Sequence, residues 1–228
     1  MVNLCIIPAR GGSKRIPRKN IKNFLGKPII LYSIEAALES NLFDEVMVST
    51  DDQEIAELAV ASGAKVPFIR SQGASTDFAT TYDVILEVLQ DYENRGVFFK
   101  NACCLYPCAP LIRVEKLIEA YHKLKRFETV FPVVKYNYPI QRALIMNENE
   151  EISFIHPEFE FSRSQDLTGS FHDAGQFYWI VVSAMFKNKT IMSKNTGAVV
   201  LSEMDTQDID TLLDWKLAEF KFKLHREI

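Results

Sequence analysis

Residues 6–20 (IIPARGGSKRIPRKN) join two glycines to five cationic side chains and contain no acid. Gly11 and Gly12 let the backbone approach an oxyanion closely and offer N–H groups to it. Arg10 can hold a phosphate through two parallel hydrogen bonds, and Lys14 adds a mobile positive charge. This combination predicts a phosphate-binding loop, with a solvated basic surface as the alternative.

The same loop lacks the two best-known phosphate signatures. It contains neither GxGxxG, the dinucleotide fingerprint, nor GxxxxGK[ST], the P-loop pattern. Its charge is nevertheless unusual, because seven basic residues precede the first acid, Glu35, in a chain of net charge −4. We therefore expect a strongly anionic ligand to bind here.

A second pair of candidate groups, Asp208 and Asp210, lies near the end of the chain in QDIDT. The sequence places both at the start of the final helix, where two carboxylates can lean toward one ion. Mg²⁺ commonly takes one or two carboxylates together with phosphate oxygens, so the pair is a candidate metal site. The alternative is that Asp208 caps the helix and the helix dipole favours Asp210.

The strands and helices that must position these groups alternate along the chain. Apolar runs predict strands at 2–7, 45–50, 65–70, 102–106, 129–134, 175–182 and 196–201. Helical spacing predicts helices at 29–40, 53–63, 78–96, 113–126 and 208–224. We expect an α/β fold with a mostly parallel, Rossmann-like sheet and helices on both faces. The basic loop follows the first strand, and such sheets bind ligands beyond the carboxyl ends of their strands.

Residues 136–172 interrupt this alternation with three short apolar pieces, polar turns and no convincing helical pattern. We interpret them as a β-rich, hairpin-rich insertion in a single domain of residues 1–228, used to form a homodimer. Packing of the insertion on its own domain is the alternative.

The overall composition argues against several classes of protein. At 47% hydrophobic and 25% charged residues, the chain is ordinary globular material. Its mild acidity argues against broad nucleic-acid binding, and no apolar run reaches the ~18–20 residues of a membrane span. The N-terminal residues show no signal-peptide pattern, and the four cysteines include no CxxC pair. We expect a cytoplasmic protein without zinc and without nucleic-acid or membrane partners.

The segment IIPARGGSKRIPRKNIKNFLGKPII resembles the opening of the CMP-sugar synthetase (acylneuraminate cytidylyltransferase) family, whose members activate nonulosonic, sialic-type acids. Further matches follow in chain order: DEVMVSTDDQEIAELA, IRSQGASTDFATTYDVI, YPCAPLIR and QDIDT. The first motif is specific and the last is weak alone, but together they cover nearly the whole chain. SRSQDL with FHDAGQFYW is most similar to the pseudaminate branch of the family.

This resemblance implies a nucleotidyltransferase that joins CTP to an acidic nine-carbon sugar and releases pyrophosphate. It implies Mg²⁺ as the cofactor, with Asp208 and Asp210 as metal ligands and catalytic residues. Arg10, Lys14 and Lys19 complete the implied catalytic set. The implied nucleotide contacts are Ala9, Arg10, Gly11, Gly12, Ser13, Lys14, Asn20, Arg70, Ala79 and Thr81.

Among these contacts, Arg70 and Thr81 match family positions that can donate to cytosine, and Ala79 matches one whose carbonyl can accept. An ordinary first helical turn is the alternative for Thr80 and Thr81. The remaining cations of the loop have no such match. We interpret them as solvated residues that steer anions at most: Arg15, Arg18 and Lys22.

The implied sugar contacts are Tyr106, Arg142, Arg163, Gln176 and Tyr178. Arg142 or Arg163 either reaches the sugar, from a partner chain in the case of a dimer, or forms a salt bridge at the rim. Tyr106 replaces the Gln that sialic acid synthetases usually carry in QPTSP, which argues against their sugar. A more aromatic site suits the methyl end of pseudaminic acid, so this acid is the expected substrate. The alternatives are CMP-N-acetylneuraminate or CMP-legionaminate synthesis, and a non-catalytic nucleotide-sensing protein.

Overall fold

The computed structural model describes residues 2–76 and 78–227. Met1, Asp77 and Ile228, which the predicted domain includes, lie outside the described residues. The strands are β1 (Asn3–Pro8), β2 (Asn23–Phe24), β3 (Lys27–Pro28), β4 (Glu45–Ser49), β5 (Asn101–Leu105), β6 (Thr129–Lys135), β7 (Leu144–Met146), β8 (Ile152–Phe154), β9 (Phe171–Asp173), β10 (Phe177–Val181) and β11 (Thr196–Leu201). The helices are α1 (Ile30–Glu39), α2 (Gln53–Ala61), α3 (Thr81–Asn94), α4 (Val114–Lys123), α5 (Val182–Asn188) and α6 (Leu212–Glu227).

The main sheet has the strand order β11-β6-β10-β5-β1-β4, and β9 pairs with the carboxyl half of β6. Strands β4, β1, β5, β6 and β11 run in one direction, whereas β9 and β10 run antiparallel to β6. The prediction of a mostly parallel sheet is confirmed. The carboxyl ends of β1 and β5 therefore meet at one edge, where the basic loop begins.

Helices cover both faces of this sheet, as the sequence predicts. Side chains of α1, α2 and α4 pack on one face, and those of α3 and α5 pack on the other. Alternation along a strand produces this division, since Cys103 faces the first layer and Cys104 the second. Strands covered on both faces are apolar at successive positions, which is why β1 and β5 read as continuous apolar runs.

A third apolar cluster joins the basic loop to the end of the chain. Ile16 of the loop, Phe24 of β2 and Ile209 are buried together with Trp215 of α6. The rings of Phe24 and Trp215 meet edge to face, with 5.5 Å between their centroids. Burying a side chain the size of Ile stabilises a fold by about 1.5–3 kcal/mol. The burial of Ile16 and Ile209 therefore fixes the basic loop beside the segment that carries QDIDT.

Residues 65–70 do not form the strand that the sequence predicts. They make a single β-bridge, between Lys65 and Met47. Pro67 interrupts the run and removes an N–H that a ladder would need, so the pairing does not extend beyond one residue.

The two helices nearest the end of the chain also differ from the prediction. α5 (Val182–Asn188) begins at the last residue of the strand predicted over 175–182, and the sequence analysis predicts no helix there. α6 begins at Leu212 rather than at Asp208. Thr211 N–H donates to Asp214 Oδ2 at 2.7 Å and Asp214 N–H donates to Thr211 Oγ1 at 3.3 Å, which caps the helix there. Both acids of QDIDT therefore precede the helix.

Residues 136–172 contain the hairpin of β7 and β8, short 3₁₀ turns and most of β9. Strand β9 returns this segment to the main sheet. No helix of the described residues is both long enough and apolar enough to cross a membrane.

Candidate active site

A cavity of about 290 Å³ opens between the ends of β1 and β5. Residues 106–108, which follow β5, form its less polar wall. Asp208 lies on its rim, and the cations that line it all come from the basic loop: Arg10, Lys14, Arg15 and Lys19. The cavity therefore has the charge that a polyphosphate requires.

Hydrogen bonds anchor the first turn of the basic loop to the end of β4 and to the residues that follow it. Ala9 is buried, and its N–H donates to Ser49 O at 2.9 Å. Gly11 N–H donates to Asp51 Oδ1 at 2.8 Å, so it serves the loop rather than an oxyanion. A Cβ on Gly11 would lie 2.6 Å from Asp52 Oδ2, which explains the glycine. Gly12 borders open space instead.

Arg18 ties the far side of the loop to the start of α2. Its guanidinium pairs with Glu54 and with both carboxylate oxygens of Asp52, Nη2 lying 3.1 Å from Asp52 Oδ1. Asp52 also caps α2 by accepting from Ile55 N–H at 3.1 Å. The hydrogen bond from Arg18 lowers the pKa of Asp52. Arg18 is thus a structural residue and not the solvated cation that the sequence suggests.

Asn20 holds the backbone of the loop from inside. It is buried, and its Nδ2 donates to Arg10 O at 2.9 Å. Its Oδ1 accepts from the Cys108 thiol at an S···O distance of 3.2 Å. Burial raises the pKa of Cys108 to about 12, so the thiol stays protonated and can donate. Asn20 lines the cavity and at the same time positions Arg10.

The segment before α6 alternates between exposed and buried residues. Ile209 is buried, whereas Asp208 is exposed and Asp210 half-buried. In extended chain this alternation predicts that both acids point away from the core, on the same side of the segment. Lys19 Nζ donates to Ile209 O at 2.7 Å and lies 3.9 Å from Asp210 Oδ1. Arg15 Nη2 lies 2.7 Å from the same oxygen.

Asp208 and Asp210 supply carboxylate oxygens, the type of ligand that Mg²⁺ prefers. Mg²⁺ prefers oxygen ligands and keeps several waters or phosphate oxygens when it binds to two carboxylates. Within residues 2–76 and 78–227, no group of three or more His, Cys, Asp or Glu side chains is arranged to hold a metal. A metal at this pair would therefore need ligands from the substrate and from water.

The side chains of Lys221 and Gln176 donate hydrogen bonds to the backbone that leads to the acidic pair. Lys221 of α6 donates to Glu203 O at 2.9 Å and to Thr206 O at 2.7 Å. Gln176 is only 3% exposed, and its Nε2 donates to Asp205 O at 2.6 Å. This placement gives Gln176 a supporting role behind the site, and its contact with the sugar stays a prediction.

Two of the residues assigned to cytosine, Arg70 and Thr81, lie near the ends of β4 and β5. Arg70 is buried, and it donates from Nε to Ser49 Oγ at 2.9 Å and from Nη2 to Ser49 O at 2.5 Å. Burial lowers the pKa of Arg70. Thr80 provides the cap of α3, and Thr81 Oγ1 instead forms a 2.9 Å hydrogen bond with the Tyr106 hydroxyl. Because Tyr106 lines the cavity, this contact links Thr81 to the site.

Tyr178 supports Tyr106 from behind. It lies on the face of the sheet opposite to Phe177 and Trp179, as the alternation predicts. Its hydroxyl donates to the Asp173 carboxylate, and its ring packs edge-on against Tyr106 with 5.6 Å between centroids. Burial raises the pKa of both tyrosines, so both hydroxyls are protonated at neutral pH.

Neither arginine assigned to the sugar lines this cavity. Arg163 is exposed, and its Nε lies 2.8 Å from Asp166 Oδ2, which matches the rim salt bridge. Arg142 Nε and Gln141 Oε1 are buried without a hydrogen-bond partner among the residues that the structure describes. A sugar contact from either arginine stays a prediction.

The cavity thus brings together part of the predicted site. Its lining includes these predicted residues: Arg10, Ser13, Lys14, Lys19, Asn20, Tyr106 and Asp208. The other predicted residues do not line it: Ala9, Gly11, Gly12, Arg70, Ala79, Thr81, Arg142, Arg163, Gln176, Tyr178 and Asp210. The sequence does not single out Arg15, Cys108 or Gln207, although they also form the wall. The only signal for Arg15 and Cys108 is that they fall within the two motifs RGGSKRIPRKN and YPCAP.

A family model described as "Cytidylyltransferase" matches residues 4–158, which include β1, the basic loop and β5. The chain belongs to this cytidylyltransferase family. A known relative of this cytidylyltransferase, "Pseudaminic acid cytidylyltransferase" from Campylobacter jejuni, is 44% identical over 229 residues, which is 100% of this chain and 99% of the relative. "CMP-N,N'-diacetyllegionaminic acid synthase" from Legionella pneumophila is 32% identical and covers 98% of this chain and 97% of that protein.

A solved structure shares the fold of this cytidylyltransferase. It is the CMP:2-keto-3-deoxy-manno-octonic acid synthetase complexed with CTP, with a TM-score of 0.68 over 100% of both chains. At 19% identity, this likeness supports the architecture and says nothing about individual residues.

Proposed function

We propose that the protein transfers CMP from CTP to pseudaminic acid and releases pyrophosphate. The observation that carries this proposal is the 44% identity over the full chain to the pseudaminic acid cytidylyltransferase of Campylobacter jejuni. The cation-lined cavity beyond β1 supports the reaction class, since a triphosphate needs several positive groups at one place.

The basic loop supplies the charge for this reaction. As the anomeric hydroxyl attacks the α-phosphate, negative charge gathers on the phosphate oxygens and on the departing pyrophosphate. Arg10 and Lys14 offset that charge from the cavity wall. Asn20 holds the Arg10 backbone and Lys19 is bound to Ile209 O, so these cations need little rearrangement before the reaction.

Asp208 and Asp210 are the residues that would hold Mg²⁺, and a bound ion would supply positive charge to offset that of the leaving group. The chain itself prepares this pair. Burial of Ile209 and its hydrogen bond from Lys19 fix the direction of both acids. The third cluster keeps them beside the basic loop.

Pseudaminic acid carries a methyl group where N-acetylneuraminic acid has a hydroxylated tail. A site built to bind a hydroxyl leaves buried polar groups unpaired when that hydroxyl is missing, so the two sugars need different walls. Here Tyr106, Pro107 and Cys108 form the less polar wall of the cavity, and Tyr106 is supported by Tyr178. Such a wall accepts a methyl group, and burying one is worth about 0.8 kcal/mol.

Residues 136–172 form the proposed homodimer surface. This insertion exposes large apolar side chains, among them Tyr138 at 85% and Phe161 at 93%. The outer positions of its hairpin, Leu144, Ile145 and Met146, are exposed as well. Exposed apolar patches of this kind mark interaction sites. In such a dimer, Arg163 of one chain would reach the sugar bound by its partner.

Two further parts of the proposal concern surroundings and assembly. We assign the reaction to the cytoplasm, where CTP is made, and the free cysteines suit that reducing compartment.

Mixing inactive Arg10→Ala and Arg163→Ala chains should restore activity if each site draws on two chains. A monomer by light scattering at the assay concentration contradicts the shared site.

The test of the reaction is pyrophosphate release from CTP with a panel of acid sugars. We expect release with pseudaminic acid that requires Mg²⁺ and is lost in Asp208→Asn and Asp210→Asn, both still folded by circular dichroism. Greatest turnover with legionaminic acid would replace the substrate. Tight CTP binding without turnover on any sugar would support a nucleotide-sensing protein.

A further inference from the structure

Arg15 occupies an unexpected position in the site. It belongs to the basic loop and lines the cavity, yet its Nη2 lies 2.7 Å from Asp210 Oδ1. That oxygen belongs to one of the two acids proposed to hold Mg²⁺. The Arg15 side chain is 68% exposed and that of Asp210 is 35% exposed, so water screens the pair. Such exposed pairs are weak, and a competing ion can break them easily.

Lys19 differs from Arg15 although it approaches the same oxygen. Its Nζ lies 3.9 Å from Asp210 Oδ1 but donates to Ile209 O at 2.7 Å, and its side chain is 25% exposed. Lys19 therefore has a fixed partner in the backbone and stays in place. The Asp210 backbone is fixed as well, since its N–H donates to Asp214 Oδ2 at 3.1 Å. Arg15 is the member of this contact that can leave without disturbing the segment.

We infer that Arg15 is a positioning residue that binds first the Asp210 carboxylate and then the triphosphate. In the substrate-free protein it holds the Asp210 carboxylate and competes with a divalent ion. When Mg²⁺ and CTP are bound, Arg15 would leave the Asp210 carboxylate and turn to the triphosphate inside the cavity that it already lines. This inference rests on the proposed metal site at Asp208 and Asp210.

The inference requires opposite effects on two ligands. Removing the Arg15 charge frees Asp210, so the ion alone should bind about two- to fivefold more tightly, the range for breaking an exposed pair. The same change removes a cation from the triphosphate, so KM for CTP should rise about three- to tenfold. A residue that is merely structural would change neither, and one that binds only phosphate would change the second alone.

The experiment measures Mn²⁺ binding to the free enzyme by electron paramagnetic resonance, and KM for CTP in parallel. Arg15→Gln should bind Mn²⁺ more tightly and CTP more weakly than wild type. Lys22→Gln is the matched control, because Lys22 carries the same charge in the same segment but lies over the Trp215 ring, outside the cavity lining. It should leave both values within twofold.

The outcomes separate this inference from the metal assignment. Adding Asp210→Asn to Arg15→Gln should abolish the gain in Mn²⁺ affinity. If Mn²⁺ binding depends on Asp208 but is unchanged in Arg15→Gln, the inference is overturned and the metal site stands. Equal gains in Arg15→Gln and Lys22→Gln also overturn it. If Mn²⁺ binding does not depend on Asp208, the metal assignment fails and the inference fails with it.

Discussion

Lys221 of α6 lies outside the cavity lining, yet it should control the acidic pair. Its ammonium group donates to Glu203 O at 2.9 Å and to Thr206 O at 2.7 Å, at the start of the segment that leads to Asp208. Lys221→Met keeps most of the apolar stem and removes both hydrogen bonds. Glu203 is exposed, so water can replace the first bond, but Thr206 is buried and its carbonyl would be left unpaired.

The size of this effect follows from the second bond. Losing one hydrogen bond from a charged donor at a partly buried carbonyl costs about 1–2 kcal/mol of the free energy of unfolding. In a domain of this size, that should lower Tm by about 2–8 °C. A looser segment also holds Asp208 and Asp210 less firmly, so half-maximal activity should need more Mg²⁺ than in wild type. At saturating Mg²⁺, the rate should recover toward the wild-type value.

Lys223→Met is the control for this prediction, because Lys223 lies on the same helix and is exposed. Thermal unfolding and initial rates across a Mg²⁺ titration should separate the two variants. If Lys221→Met matches Lys223→Met in both measurements, Lys221 does not hold the acidic segment, and the reasoning from these two contacts is refuted.

Three further predictions concern the basic loop. Arg10→Ala or Lys14→Ala should lower kcat/KM for CTP at least about tenfold, the loss expected for a charge-assisted hydrogen bond of roughly 1.5–3 kcal/mol, in steady-state assays. Gly11→Ala should destabilise the fold by about 1–3 kcal/mol in denaturant unfolding, because its Cβ would meet the Asp52 carboxylate. Asp52 has a lowered pKa owing to Arg18, so its contribution is complete above about pH 4 and lost at lower pH. Unfolding measured from pH 6 to pH 3 should therefore show a steeper loss of stability in wild type than in Arg18→Gln.

Different results would contradict these predictions. The loop assignment fails if Lys22→Ala impairs turnover as much as Arg10→Ala does. Gly12 has open space around it, so equal destabilisation by Gly12→Ala and Gly11→Ala would exclude the contact with Asp52 as the cause. Parallel pH profiles in wild type and Arg18→Gln would show that the ion pair with Asp52 contributes nothing measurable.

The order of strands and helices could be predicted because each has a strong local signal. The buried strands β1 and β5 are continuous apolar runs, and α3 carries its own cap at Thr80. The errors fall where tertiary context overrides that signal. The strand predicted over 175–182 ends at Val181, and a short helix that the sequence analysis does not predict begins at Val182. Residues 65–70 look like a strand but form only a single β-bridge with β4.

The candidate site likewise contains features that the sequence indicates and contacts that only the folded chain shows. Residue types and spacing predict a phosphate loop, and the position of this basic, glycine-containing segment after the first strand favours that prediction over a solvated surface. They do not show that Gly11 N–H is taken by Asp51 or that Arg18 is held by Asp52. Those partners lie more than thirty residues away, and only the pairing of β1 with β4 brings them together. The proposed contribution of Arg163 cannot be read from one chain, because the proposal places it in the site of a second copy.

The central claim is the identity of the sugar that receives CMP. The most direct measurement supplies equal concentrations of pseudaminic acid and N-acetylneuraminic acid with limiting CTP and resolves the products by mass. We predict that CMP-pseudaminate predominates, and that Tyr106→Gln shifts the ratio toward CMP-N-acetylneuraminate, because the amide provides a hydrogen-bonding wall in place of an aromatic one. A wild-type product that is mainly CMP-N-acetylneuraminate would contradict the account.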